Sequence, residues 1–521
     1  MPFDIRRFAF PVLATALVLS FLLTARRLSA VFPTVNPDEV GMAVNAYHFS
    51  RGEGIKYSLY DDLFAPNVYA YRDLSNSIGR PAFVAWMSLF ARHDARSHWT
   101  MRQASVLAGS LAFVFLLVAG WKMAGRIGAA AAGLTILVNP VFWLGSTLLN
   151  ECILLIAVFC GVLALGLWAV DRSWWAMSGC GFLLGLALLV HPHVVLLIPG
   201  FAIVMMRSTE RPRLPILGAL AIGLLAGALL AVSFIDLKRF VLSQRLLYGA
   251  FVKPPFLSWP WSPIGWFRQS IDMLASGPSY YLQAPLAGGW RLALRLFAAG
   301  SLVVGALTMV PAVRRAKGVV ALWSAVLVTF VLMALFIARS EVLYALWLAP
   351  FVALAAGATA KAAIDAGRAP RVVLAAAALI CLGAGIVFAG FARDYKKRTR
   401  PFLNVMQGLR RALPSEAQRV AGPSWIWFSR EPYDIRDLGA TVISRFYTGG
   451  QSDLRGWLAR WRPDALVADE TFMRVHAKGD PSGRALADVL HLPVAPIGIV
   501  QAGPGYGPWV VFKLEWPIPA P

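Results

Sequence analysis

NPVFWLGSTLLNECILLIAVFCGVLALGLWAVDR, residues 139–172, decides the fold. Between Glu151 and Asp171 the chain carries no charge, and Leu, Ile, Val, Phe, Ala and Gly fill almost the whole interval. Crossing a bilayer takes about 20 such residues. The stretch therefore reads as a membrane span with Asn150-Glu151 at one end and Arg172 at the other. An ionisable side chain at that position is costly unless it has a use, so Glu151 is a candidate site residue.

The same pattern recurs on both sides. The first apolar run is 8–25, preceded by Arg6 and Arg7. It is long for a signal peptide and many spans follow it, so it reads as an uncleaved helix. Further spans are expected near 103–121, 127–146, 151–170, 174–190, 193–206, 214–235, 290–311, 318–338, 342–361 and 371–391. This makes about eleven, of which 174–190 and 193–206 are short and broken by His191-Pro192-His193. That pair reads as a helical hairpin that stops short of a full crossing.

Composition agrees. Of 521 residues 58% are hydrophobic and 15% charged, against roughly 25% charged in soluble domains. Too little charge is present to coat a soluble surface. The formal charge of +22 suits anionic lipid headgroups and basic loops. No groove-reading motif accompanies it, so nucleic acid is not an expected partner. Cys152, Cys160, Cys180 and Cys381 all fall in apolar runs, so no disulfide framework is implied.

Loop cations give direction. With the N terminus inside, the inner loops hold Lys122, Arg126, Arg172, Arg207, Arg211, Arg213, Arg314, Arg315, Lys317, Lys361, Arg368 and Arg371. Arg26 and Arg27 disagree with this topology and are expected to snorkel. Three larger pieces then lie outside: loops at about 32–101 and 236–289, and a tail. The expected architecture is a polytopic α-helical membrane module over 1–391 with a C-terminal extracytoplasmic α/β domain over 392–521. In that domain strands are expected at 420–428, 440–444, 465–468 and 509–514, and helices at 402–413 and 452–461.

The outer loops carry the candidate chemistry. Asn36-Pro37-Asp38-Glu39 opens the first loop. It has the form of a helix start, with Asn36 as cap, Pro37 in the first turn and Glu39 folding back on the cap. Adjacent helical side chains diverge by about 100°, which would leave Asp38 available as a base for an acceptor hydroxyl. Gly79-Arg80-Pro81 starts an apolar stretch too short to span, expected at the membrane interface. His191 and His193 flank Pro192 and could touch phosphate or a metal. Arg339 precedes Tyr344 at an outer turn and could hold a phosphate; Lys253 and Arg245 are weaker cations of that kind. Nucleotide-binding, serine-hydrolase and zinc-protease motifs are absent.

Taken in order, these features resemble the GT-C glycosyltransferases: an inside N terminus, an acidic pair after the first span, an interfacial helix at Arg80-Pro81, an acid opening the fourth span and a basic residue before Tyr344. The bacterial branch similar to protein O-mannosyltransferases and lipid A aminoarabinose transferases is nearest, and the tracts 139–170 and 185–199 also look like it. The resemblance covers about 1–390. It implies an inverting enzyme of the bacterial inner membrane. That enzyme would move a sugar from a polyprenyl-phosphate donor to a glycan, lipid or protein acceptor on the extracytoplasmic face. By resemblance Asp38 is the general base or the acid that orients the acceptor, Glu39 and Glu151 line the cavity, and Arg339 holds the donor phosphate, with Tyr344, His191, His193 and Lys253 as further donor contacts. No cofactor is certain; some relatives take a divalent metal, for which Asp38 and Glu151 would be the ligands. The two histidines depart from the basic residue beside Pro familiar in that branch. Two other classes stay open, a flippase for lipid-linked sugars and a non-catalytic envelope assembly protein.

Overall fold

The computed structural model describes residues 5–31, 37–55, 80–209, 213–235, 287–336, 342–398, 402–429, 434–438, 454–501 and 508–516. Among these, eight helices are long and apolar enough to cross a membrane: Phe10–Leu28, His98–Leu137, Glu151–Ala169, Arg213–Ser233, Gly288–Met309, Val319–Phe336, Leu343–Ala366 and the stretch Arg368–Ala412. Two shorter apolar helices, Trp174–Leu189 and Pro192–Ser208, accompany them. The sequence count of eleven is reached by including these two and dividing His98–Leu137 in two.

That division is real in the backbone. Ala124 and Gly125 leave helical geometry, and Gly125 takes φ +64°, a conformation glycine adopts without steric cost. The chain then doubles back: Gly120 lies against Gly128 and Ala129, and Gly133 against Leu117 and Phe113. The expected span 127–146 is itself interrupted. Asn139 accepts hydrogen bonds from the Val141 and Phe142 N–H groups and Pro140 starts a new helix, Pro140–Thr147. An Asn cap followed by Pro at the first helical position is a strong restart signal.

The broken pair around Pro192 runs the whole length of the Glu151–Ala169 helix. At one end His191 lies beside Glu151; at the other Thr209 Oγ1 donates to Asp171 Oδ1 at 2.7 Å. The first arm is fastened to Arg213–Ser233 by glycines. A Cβ on Gly223 would land on the Ser178 carbonyl and one on Gly227 on the Phe182 carbonyl, while Gly181 and Gly185 face Leu220, Leu224 and Ala228. Small residues four apart let two helices in lipid approach backbone to backbone.

Two ends of the bundle can be told apart. Lys122, Arg172, Arg207, Arg213, Arg314 and Lys361 cluster at the end where the first helix begins, since Phe10 packs on Trp121 at 6.2 Å. The opposite end holds Glu39, Arg80, Glu151, His191 and Tyr344. There Pro37–Ser50 packs with Pro81–Asp94. The latter buries Phe83, Val84, Met87 and Ala91 and is tied down by the Trp86 indole N–H donating to Ala104 O at 3.1 Å. Arg26 sits over the Trp99 ring at 5.1 Å, so this out-of-place cation has an aromatic partner.

The Arg368–Arg398 helix continues through the expected boundary at residue 391. Beyond it lies a five-stranded sheet of β1 (Arg419–Gly422), β2 (Asp434–Asp437), β3 (Ala465–Ala468), β4 (Val494–Gln501) and β5 (Pro508–Leu514), in the order β2-β1-β3-β5-β4. β1 runs parallel to β2 and β3, while β5 is antiparallel to β3 and β4. The expected strand 420–428 ends at Gly422. Pro423 stops it, and Ser424–Ser429 is a 3-10 helix. The expected strand 440–444 lies outside the described residues. Helices Phe402–Ala412 and Leu454–Trp461 stand as expected.

This domain is docked on the site end of the bundle. The Arg96 guanidinium lies 4.6 Å over the Trp427 ring and donates to the Trp427 carbonyl at 2.9 Å. Tyr47 meets the same ring at 6.1 Å, and His98 meets Phe402 at 4.8 Å.

Candidate functional site

Glu151 is the first residue of its helix. Asn150 caps that helix, accepting from the Ile153 N–H at 3.2 Å while its Nδ2 donates to Gly145 O at 2.8 Å and Leu148 O at 2.9 Å. The cap fixes where the carboxylate stands, and the positive end of the helix dipole favours its charge. Glu151 is buried. Its Oε1 meets Arg80 Nη1 at 2.5 Å and His191 Nε2 at 3.5 Å.

Local backbone geometry also places His191. It is the N-cap of the 3-10 helix Pro192–Leu196, and its Nδ1 accepts from the His193 N–H at 3.1 Å. A neutral ring that accepts at Nδ1 must carry its proton on Nε2, the nitrogen that faces Glu151. His193 packs on His191 at 4.5 Å, on Trp347 at 4.8 Å and edge-on to Tyr344 at 5.7 Å. Tyr344 and Trp347 come from the 3-10 helix Val342–Leu348, which leads into Ala349–Ala366. Four segments far apart in sequence thus converge: Arg80, Glu151, the His191–His193 turn and Tyr344–Trp347.

Among the described residues, several polar atoms of this cluster have no hydrogen-bond partner: Glu151 Oε2, His191 Nε2, His193 Nδ1 and Trp347 Nε1. Buried polar atoms are nearly always paired, so four orphans in one cluster point to a polar ligand that completes them. The set offers a guanidinium fork, an imidazole N–H and an indole N–H, which suit an oxyanion, beside a carboxylate oxygen that can accept a proton or a hydroxyl. Glu151, Cys152 and His191 also bring ligand atoms within 4.8 Å of one another. This donor set suits a borderline-soft divalent ion such as zinc.

Glu39 belongs to a different construction. Its two oxygens accept from Arg102 Nε and Nη2, both at 2.8 Å, and Oε2 also accepts from the Leu149 N–H at 3.0 Å. Arg102 Nη1 further donates to Ser29 O at 3.0 Å. Glu39 is therefore engaged by a buried Arg, which offers a bidentate partner; the expected capping contact with Asn36 falls outside the described residues. The pair clamps the first outer helix to the segment just before Glu151. Asp38 is the second residue of that helix; its side chain, together with Asn36, Arg339, Lys253 and Arg245, lies outside the described residues.

Sequence reasoning named Glu151, His191, His193 and Tyr344, which the fold brings together. It missed Arg80 as a site residue, treating it only as the start of a helix. The available signal was an Arg before Pro at the mouth of an apolar helix, with no capping role for its side chain. Trp347 had no distinguishing signal among many apolar neighbours.

No protein-family model and no curated protein sequence matches the chain. Solved structures do. The crystal structure of ArnT from Cupriavidus metallidurans bound to undecaprenyl phosphate aligns with a TM-score of 0.58 at 15% identity, covering 97% of this chain and 98% of that one. The apo form of the same protein gives 0.58 at 16% identity, covering 96% and 97%. The chain shares the fold of that membrane protein over nearly its whole length, C-terminal sheet included.

Proposed function

We propose that this chain is a GT-C membrane glycosyltransferase that takes its sugar from a polyprenyl-phosphate donor and passes it, with inversion, to an envelope acceptor on the extracytoplasmic face. The observation that carries the proposal is the buried Arg80–Glu151–His191–His193 cluster with its orphaned polar atoms. It sits at the end of the bundle opposite the cluster of loop cations, in a fold shared with a protein crystallised with undecaprenyl phosphate.

The chemistry asks little of the protein. The acceptor oxygen forms a bond to the anomeric carbon as the carbon–oxygen bond to phosphate breaks. The electron pair of that bond leaves with the phosphate, and the acceptor proton passes to a carboxylate. Phosphate is a competent leaving group, so positioning and charge stabilisation supply most of the acceleration. Arg80 and the Nε2–H of His191 meet the developing phosphate charge. Trp347 adds its indole N–H, and Tyr344 with His193 walls the subsite. Glu151 holds Arg80 and His191 in place in the resting site. Asp38, at the start of the clamped outer helix, is the proposed base, and Arg339 and Lys253 are proposed as further donor contacts. Glu39 serves this arrangement by positioning that helix.

A divalent ion held by Glu151, Cys152 and His191 would require the imidazole to move its proton off the ligating nitrogen, and would supply a further positive charge for the leaving phosphate.

The test is transfer by the full chain reconstituted in liposomes with polyprenyl-phosphate sugars and envelope acceptors. Wild type is expected to transfer, Arg80→Ala and Asp38→Asn to lose transfer by about 100-fold or more. Carrier movement across the vesicle without transfer would favour a flippase. Full activity of Asp38→Asn would remove it as base.

A further inference from the structure

The end of the bundle that holds Glu151 also presents exposed cations that loop-charge asymmetry does not explain, since positive loops gather at the opposite end. They lie on two neighbouring perimeter helices, Ala287–Ala306 and Arg368–Arg398. These pack antiparallel, with Gly289 against Phe391 and Gly300 against Cys381. On the first, Trp290, Ala293, Leu294 and Phe297 are buried, while Arg291, Leu292 and Arg295 are exposed. On the second, Phe388, Phe391 and Tyr395 are buried, while Arg393, Lys396 and Lys397 are exposed, with Asp394 the one acid among them. At about 100° per residue the cations fall on faces turned away from the packed residues.

Those faces look toward lipid. Leu292 is 50% exposed between the two arginines, and Leu302 and Ile386 farther along are 74% and 73% exposed. A guanidinium turned to hydrocarbon is costly, so Arg295 needs a phosphate or water within reach. Arg295 is one turn deeper than Arg291, about 6 Å along the axis, a distance its long stem can cover by snorkelling. Five cations and one carboxylate on adjacent outward faces match a negatively charged headgroup.

We propose that the outward faces of these two helices bind the phosphate headgroup of an anionic phospholipid, such as phosphatidylglycerol, in the leaflet at the Glu151 end. Arg295, Arg393, Lys396 and Lys397 hold it by charge, Arg291 adds to the local positive field, and the exposed leucines lie against its acyl chains. This surface is separate from the Glu151 cluster and does not depend on the reaction assigned to that cluster.

Native mass spectrometry of the full chain, released from nanodiscs of equimolar phosphatidylglycerol and phosphatidylethanolamine, tests this. Wild type is expected to retain phosphatidylglycerol over phosphatidylethanolamine by about tenfold, each cation near a charged headgroup being worth a few-fold. The quadruple variant Arg291→Gln, Arg295→Gln, Lys396→Gln, Lys397→Gln should lose that preference. A charge-preserving Arg291→Lys, Arg295→Lys variant should keep it, which separates charge from misfolding. Equal retention by wild type and the Gln variant would overturn the proposal, as would no preference in wild type. One-for-one displacement of the retained lipid by undecaprenyl phosphate would also overturn it, by making the surface part of the donor path.

Discussion

Replacing Glu39 by Leu should destabilise this protein more than any other single change at the site end. Glu39 and Arg102 expose 2% and 1% of their side chains and share two hydrogen bonds of 2.8 Å. Breaking one partner of such a buried pair leaves an uncompensated charge, at a cost of about 3–5 kcal/mol. Glu39→Leu also strands the Leu149 N–H, which adds about 1–3 kcal/mol. Removing both charges in Glu39→Leu/Arg102→Met abolishes the stranded ion, but leaves Leu149 N–H and Ser29 O without their partners. The double variant should therefore be milder than Glu39→Leu alone, by about 2–4 kcal/mol. The assay is thermal unfolding of detergent-purified protein by tryptophan fluorescence, compared at one fixed scan rate because such unfolding is often irreversible. The single variant should unfold on the order of 10 °C lower, and the double should recover a good part of that. A Glu39→Leu protein unfolding within about 2 °C of wild type would refute the clamp, and so would a double variant that simply sums the singles.

Gly223→Leu should abolish accumulation of folded protein, because its side chain would displace the Ser178 carbonyl; Gly218→Leu on the same helix, with open space around it, should fold normally. Gel filtration of tagged variants reads both. Trp427→Ala removes the ring gripped by Arg96 and Tyr47 at a cost of about 2–3 kcal/mol, so limited proteolysis should release the C-terminal domain roughly 100-fold faster than in wild type. Glu151→Gln keeps the shape but removes the charge that holds Arg80. It should lower transfer by about 100-fold while leaving the unfolding temperature within a few degrees; a variant of wild-type activity would remove Glu151 from the site.

The membrane half of the fold was legible because lipid imposes one rule on every span. Long apolar runs with charges confined to their ends admit little else. What the runs did not show was depth. The arms around Pro192 are short by count, yet 3-10 segments with a steeper rise carry them along the whole of Glu151–Ala169. The C-terminal sheet was half legible. Ala465–Ala468 is a central, fully buried strand and reads as one. Val494–Gln501 does not, because Pro496 and Gly498 interrupt its alternation at a bulge on the sheet edge, where such residues are tolerated.

The acids show why a site is harder to see than a fold. Sequence presents Glu39 and Glu151 as equivalents, each an acid beside a polar residue at the mouth of an apolar helix. Their difference is made by partners distant in the chain. Glu39 meets Arg102, and both of its oxygens are occupied within the protein. Glu151 meets Arg80 and His191 through one oxygen, and its other oxygen has no partner among the described residues. A fully satisfied buried carboxylate has its interactions already made, and a ligand would have to break them. A buried carboxylate with one oxygen open among the described residues, beside imidazole and indole nitrogens that also lack a hydrogen bond there, is placed to take up a ligand. By that criterion Glu39 holds the architecture and Glu151 marks where a substrate enters.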